Sequence, residues 1–497
     1  MEKTTTVLLA AFILLIYSFT FSINSCLAQW QPDVRLTNNP ALSLTNQYTN
    51  GRCIASSGDT VHVVWYDTRD GASPEIYYKR SIDGGINWGA DTRVTNNIYF
   101  SSNPSVAVSG SVVHIVWQDN RNGNYQIYYN RSTNGGINWG TDTRLTIDSA
   151  GSETPCISAS GSVVHVVWRD FRNSFLGGAY YKRSSDGGIN WGADTRIKTD
   201  TVGGSWWPSI SASGSVVHSL WMDSRNGQQD IYYKRSTDAG INWGTDMPLT
   251  NDTNHRYTPT MSVSGSNVHI AFLDSRNWDP GYEIYYKHST NGGISWSADM
   301  RLTIHYTSAS LHSVIAASGS NVHVVWDDNR NSATNYEIYY KRSTNGGINW
   351  GADTRLTYDS SYSMYPFVSA SGTAVHCVWS DYRNGNYEIY YKRDPSGNPI
   401  GITNINLEIP SSFSLSQNYP NPFNPTTVIK FDIPKSGEVS LKVYDVLGRE
   451  IASLVNENLK TGSYSMDWNA SQCPSGVYFY RLTADGFKET RRMIYLK

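Results

Sequence analysis

Charge is scarce in this sequence and close to balanced. Only 16% of residues are charged, and 40 Lys plus Arg stand against 42 Asp plus Glu, for a net charge of -2. That balance excludes a strongly basic face for nucleic acid or for an anionic membrane surface. Cysteine is equally sparse. Beyond the N-terminus only Cys53, Cys156, Cys377 and Cys473 remain. Their scatter fits neither a metal-ligand spacing nor a dense disulfide framework, so they are expected as small buried residues, and no metal or cofactor is expected. Long apolar runs are also missing. The single one, Val7 to Phe21, follows Lys3 and leads to Cys26-Leu27-Ala28. This reads as a secretory signal over residues 1–28, too short for a stable span. A lipidated Cys26 is the alternative, which Asn24 suits poorly. The mature chain is therefore expected outside the cell with no transmembrane span.

What the chain has in abundance is aromatic side chains, with 17 Trp and 34 Tyr, set in a repeat. Val61-His62-Val63-Val64-Trp65 recurs with small changes from Val113, Val164, Val217, Val268, Val322 and Val375. Each copy is followed by Asp-x-Arg, then by a Tyr-Tyr strand, a Gly-rich turn closing on Trp, and a segment such as Thr143-Arg144-Leu145-Thr146. The period of about 52 residues suits one four-stranded propeller blade. In the second copy the four strands are read near Ser105 to Val108, Val112 to Trp117, Gln126 to Arg131 and Asn138 to Thr146. Seven copies of the second and third strands occur, but only six complete outer segments. The missing outer strand is found at the front of the chain, as Val34-Arg35-Leu36-Thr37. The expected fold is all-β: a seven-bladed β-propeller over residues 29–403, whose N-terminal strand closes the last blade and removes an exposed edge. A linker, 404–414, and a small C-terminal β-sandwich, 415–497, follow.

The Gly-rich turn, Ser81-Ile82-Asp83-Gly84-Gly85-Ile86-Asn87-Trp88 in the first copy, resembles the Asp-box (bacterial neuraminidase repeat) of the sialidase-like superfamily. Asn134, Asn291 and Asn345 replace the Asp in three copies and keep its turn-forming chemistry. The resemblance implies a fold and leaves activity open. The C-terminal segments Asn418-Tyr419-Pro420-Asn421-Pro422-Phe423-Asn424-Pro425, Val443 to Glu450 and Pro474 to Arg481 resemble the sorting domain read by type IX secretion machinery. That resemblance implies export across the outer membrane, with the machinery as partner, followed by removal of the domain and release or surface anchoring.

Residues that recur in every blade are read as structural, and residues that break the repeat on the channel-mouth face as candidates for binding. The seven strand histidines, from His62 to His376, are therefore expected to be hydrogen-bonded supports. The Asp-x-Arg pairs are expected to close turns, the sharper alternative being a charged ring for a polyanion. Trp206, Trp207 and Trp278 fall outside the repeated Trp positions, and His255, Arg256 and Tyr257 enter the fifth blade beside them. Indole faces stack on sugar rings, so these six residues are read as a patch for an extracellular glycan, with His312 and Tyr365 as further ligand-binding candidates. A binding propeller is favoured over an enzyme. A sialidase-like hydrolase is the alternative, with Arg52 in place of the Pro at positions 104, 155, 208, 259 and 366, and Glu153 as the one acidic residue near the channel that breaks the repeat. A polysaccharide lyase would use a His255 or Tyr257 base with Arg256. A structural or protein-binding propeller is the third reading.

Overall fold

The computed structural model describes residues 30–47, 51–71, 73–251, 255–276, 281–304, 309–332, 334–395, 403–406, 410–459, 461–470 and 473–497. The signal read over 1–28 and Trp278 lie outside the described residues. The chain divides into compact units, the larger being Gln29–Gly397. Every regular element among the described residues is a strand.

In the second repeat, Ser101–Ser109, Val112–Asp119, Gln126–Ser132 and Thr143–Arg144 pair in that order as one antiparallel sheet. The outer strand is shorter than the sequence suggested, because the Gly-rich turn occupies the residues up to Trp139. Val112–Asp119 is buried on both faces from Val113 onward. Alternation is lost because a neighbouring sheet packs on either side. Seven sheets of this kind follow one another among the described residues. In the seventh, Val34–Arg35 pairs with Glu388–Asp394, with Val34 opposite Tyr391.

Neighbouring sheets are joined through the Gly-rich turn. Ser132 Oγ accepts the Gly136 N–H at 2.8 Å, and Asn134 Oδ1 accepts that of Asn138 at 2.9 Å. Gly136 holds φ = 84° and lies against Tyr78 of the preceding sheet so closely that a Cβ would sit 1.8 Å from the phenol oxygen. The Trp139 indole meets Tyr78 edge to face at 4.9 Å, and the Tyr78 hydroxyl is 2.7 Å from His62 Nδ1. The strand histidines therefore brace a tyrosine of their own sheet, which in turn receives the next sheet's turn. The first turn docks in the same way on the seventh sheet, with Gly85 against Tyr391 and Trp88 at 4.8 Å from that ring.

The Asp-x-Arg pairs are committed to this framework. Arg69 bonds Asp67 and Asp91, each at 2.6 Å, and Lys79 holds Asp91 from the other side at 2.8 Å. In the seventh sheet Asp33, from the front of the chain, takes the same place between Arg383 and Lys392. Asp67 also accepts the Trp65 indole N–H, at 3.0 Å, and the Ser43 hydroxyl, at 2.7 Å. Cys53, Cys156, Cys377 and Cys473 are all fully buried, as expected.

In the C-terminal unit, Thr403–Asn406, Gly462–Asn469, Thr426–Ile433 and Ser414–Leu415 form one sheet. Glu450–Leu459, Gly437–Tyr444, Gly476–Ala484 and Phe487–Tyr495 form a second. The two enclose a shared core that includes Phe423, Ile429, Leu441, Trp468 and Tyr480. Residues 403–406 are thus an edge strand of this unit, with Thr403 opposite Ser465, where the sequence suggested that a linker begins.

Candidate functional site

Each inner strand from the second sheet to the seventh carries a β-bulge two residues after its start, as between Ser102 and Ser105. At each bulge one non-glycine residue takes a positive φ: Asn103 (52°), Thr154 (53°), Trp207 (49°), Thr258 (45°), His312 (46°) and Tyr365 (56°). Such conformations cost about 1–2 kcal/mol for an L-residue, and a bulge re-aims the side chain it carries. The flanking Ser and Pro recur, whereas the strained residue differs in character from sheet to sheet. The chain breaks its own repeat where its backbone is strained, a combination characteristic of functional surfaces.

On the fourth and fifth sheets the candidates form a run of ring contacts. Trp207 lies 6.3 Å from Tyr257, Tyr257 lies 6.3 Å from His255 and 5.4 Å from Tyr282. His255 is exposed, while Trp206, Trp207 and Tyr257 are half-buried. Trp206 stands beside this run with the Arg169 guanidinium over its ring at 5.1 Å. Glu153 faces Arg169 across the strand pair. Burial raises the Glu153 pKa and Arg169 only partly offsets it. Arg169 was not singled out from the sequence, although it stands at the variable position of the Trp-x-Asp segment.

The Arg256 reading needs correction. Its side chain is fully buried, with Nε donating to Asp274 at 2.9 Å and Nη1 at 3.6 Å from Asp230. In the first sheet the corresponding aspartate is held by an indole N–H and a serine hydroxyl, from Trp65 and Ser43. The fifth sheet has Phe272 and Arg256 at those two places, so the guanidinium supplies what both replaced groups would have given. Arg256 breaks the repeat to repair the core, and is withdrawn from the mouth.

A second cluster lies on the sixth and seventh sheets. His312 Nδ1 is 3.0 Å from Asp327 Oδ1 and 3.2 Å from Oδ2, and the His312 ring meets Tyr365 edge to face at 4.8 Å. Burial works against protonation of His312, but the Asp327 carboxylate prevails and raises its pKa above the ordinary imidazole value. Both rings line a pocket with Asn46, Thr258, Thr260 and Phe367. Asp327, buried and unforeseen, also occupies the variable position of the Trp-x-Asp segment. Arg52 reaches across the molecule from the first sheet, its Nη2 donating to Ser211 Oγ at 3.3 Å and to the Met261 carbonyl at 3.0 Å. Arg52, Glu153 and Arg256 therefore serve different partners and do not form one constellation. Among the described residues no cluster of His, Cys, Asp and Glu is arranged to hold a metal ion.

No curated protein sequence matches this chain. Similar solved structures include a PL25 ulvan lyase bound to -[GlcA(1-4)Rha3S]-, at 11% identity and TM-score 0.49, covering 72% of this chain and 95% of that one. A Trypanosoma rangeli sialidase aligns at 11% identity and TM-score 0.41, covering 81% of this chain and 85% of its own. A protein of unknown function from Dyadobacter fermentans aligns at 12% identity and TM-score 0.45, covering 60% and 96%. Residues 417–496 match the secretion system C-terminal sorting domain family, which indicates type IX export of this protein to the cell surface or beyond it.

Proposed function

We propose that residues 29–397 form a closed seven-bladed propeller built on Asp-box turns, and that the exported protein binds an extracellular glycan through the mouth of its channel. The closing contacts favour the ring: Val34–Arg35 on the seventh sheet, the first turn on Tyr391, and Ser56 Oγ at 2.7 Å from Ser369 Oγ. The observation that carries the binding reading is the set of six strained, non-repeating side chains at the inner-strand bulges. Trp206, Trp207, Tyr257 and His255 supply flat faces for the C–H surfaces of a sugar ring, with the His255 ring exposed for hydrogen bonding. Retention of the purified full chain on a glycan array tests this. Trp207→Ala is expected to lower retention at least tenfold with an unchanged unfolding midpoint. Equal retention by the variant on every bound glycan refutes the assignment.

One observation favours a second reading, catalysis. The Asp327–His312 pair beside Tyr365 sets a raised-pKa imidazole against a phenol in one pocket, the types of group a lyase needs to move a proton beside a uronate. This replaces the His255, Tyr257 and Arg256 set. Unsaturated product from a uronate polymer, lost in His312→Ala, supports it. No product from the wild-type chain across such polymers excludes it.

A further inference from the structure

Beneath the mouth, the inner strands of all seven sheets enclose a cavity of about 190 Å³ lined by small residues such as Ala107, Ser158, Ser211 and Ser262. That is space for several waters. Arg52 is the one charged side chain among its lining residues. Its Nη2 is held by Ser211 Oγ and the Met261 carbonyl, and no carboxylate lies within ion-pair distance among the described residues. Burial is the main influence on this group and lowers its pKa, opposed only by the Cys156 thiol. A guanidinium nonetheless keeps its proton. The side chain is half-buried, and a partly desolvated guanidinium with no counter-charge beside it favours an anion brought alongside.

The hydroxyls nearby are set to assist. Ser158 Oγ accepts the Ala212 N–H at 3.1 Å, Ser262 Oγ accepts the Ala317 N–H at 2.9 Å, and Ser211 Oγ accepts from Arg52. In each case the oxygen already accepts one hydrogen bond, and the hydroxyl hydrogen can donate. We propose that this cavity is an anion site, in which a small inorganic anion rests against Arg52 and takes hydrogen bonds from these serines. The site concerns the interior of the channel and stands whether or not a glycan binds at its mouth.

The test uses crystals and solutions of the full chain with bromide and, separately, selenate, whose anomalous scattering distinguishes a halide from an oxyanion. A peak beside the Arg52 guanidinium is expected with at least one of them, and none in Arg52→Met. In solution, the effective anion at fixed ionic strength should raise Tm saturably over gluconate by about 2 °C or more. Arg52→Met should lose that difference. Absence of both peaks in wild-type crystals overturns the proposal, as does the same saturable rise in Arg52→Met. Should Arg52→Met fail to fold, the wild-type crystals alone decide.

Discussion

Trp30 and Tyr340 meet edge to face with ring centroids 4.9 Å apart, although 310 positions separate them in the chain. Tyr340 is the third-strand tyrosine of the sixth sheet, and in the five preceding sheets the equivalent ring receives the Trp of the following Gly-rich turn, as Tyr78 receives Trp139. The seventh sheet has no such turn, and the front of the chain provides the indole. Asp33, Arg35 and Leu36 follow Trp30 in the places that Asp142, Arg144 and Leu145 take after Trp139. Arg35 completes the substitution through its 2.7 Å bond to Glu388.

Trp30→Ala is therefore expected to loosen the joint between the sixth and seventh sheets. Loss of a buried Trp costs about 3–5 kcal/mol. Denaturant unfolding should show that loss, and protease should cut first near the N-terminus. A Tyr358→Ala control, at an exposed ring, should stay within about 0.5 kcal/mol of wild type.

Arg256→Ala should destabilise the fifth sheet by about 1–3 kcal/mol, since Asp274 loses the buried Arg256 bond and keeps only its pairing with Arg276. Restoring the usual pair with Arg256→Ser and Phe272→Trp together should recover most of that loss in denaturant melts. Failure of the double variant to exceed Arg256→Ala would mean that the two positions are not coupled.

Gly136→Ala places a methyl group 1.8 Å from the Tyr78 oxygen at a φ of 84°, so the turn must lift from the neighbouring sheet. Gly110→Ala, at φ = 59° in open space, bears conformational strain alone, of about 1 kcal/mol. Thermal melts should show the first variant several degrees below the second.

Acid should weaken the larger unit. Burial, reinforced by Arg80, pushes His62 down to about 4, and His114, His218 and His376 are lowered to about 4 in the same way by burial and their own arginines. Between pH 6.5 and 4 the unfolded chain takes up protons that the folded histidines refuse. Stability is therefore full above pH 6.5 and falls as pH drops toward 4. His312 runs the other way: the contribution of its Asp327 pair is complete below pH 6.5 and fades as pH rises through its elevated pKa. NMR titration should place the His312 midpoint above 6.5 in wild type and below it in Asp327→Asn, where burial acts unopposed. Midpoints of denaturant unfolding at pH 7 and pH 5 check the strand histidines.

The repeat made the sheets legible, because each faces the same demands: an indole against an aspartate, a tyrosine against a glycine, an arginine between two acids. Val34 to Thr37 stood out as the missing outer strand for the same reason. Trp30 and Asp33 went unread, though the Trp-x-x-Asp spacing was there to be matched against Trp139 and Asp142. Arg256 misled because a departure from the repeat was taken to mean exposure, when its cause was the Phe272 substitution inside the same sheet. The bulges had no sequence signal. Thr, Trp, His and Tyr have little preference for positive φ, and the register shift in the ladder on either side imposes it, against the extended conformation that the following Pro favours in five of six cases. Asp327 and Arg169 were hidden at a position whose importance comes only from lying across the strand pair from those bulges.

The ladder on both sides of each bulge is made by backbone groups, so the strand pairing does not need the side chain there, although His312 also holds the buried Asp327. Asn103, Thr154, Trp207, Thr258 and Tyr365 are therefore open to exchange one at a time, whereas exchange of His312 also removes the partner of Asp327. These five bulges act as exchangeable slots, and new specificities can be selected from a library confined to them.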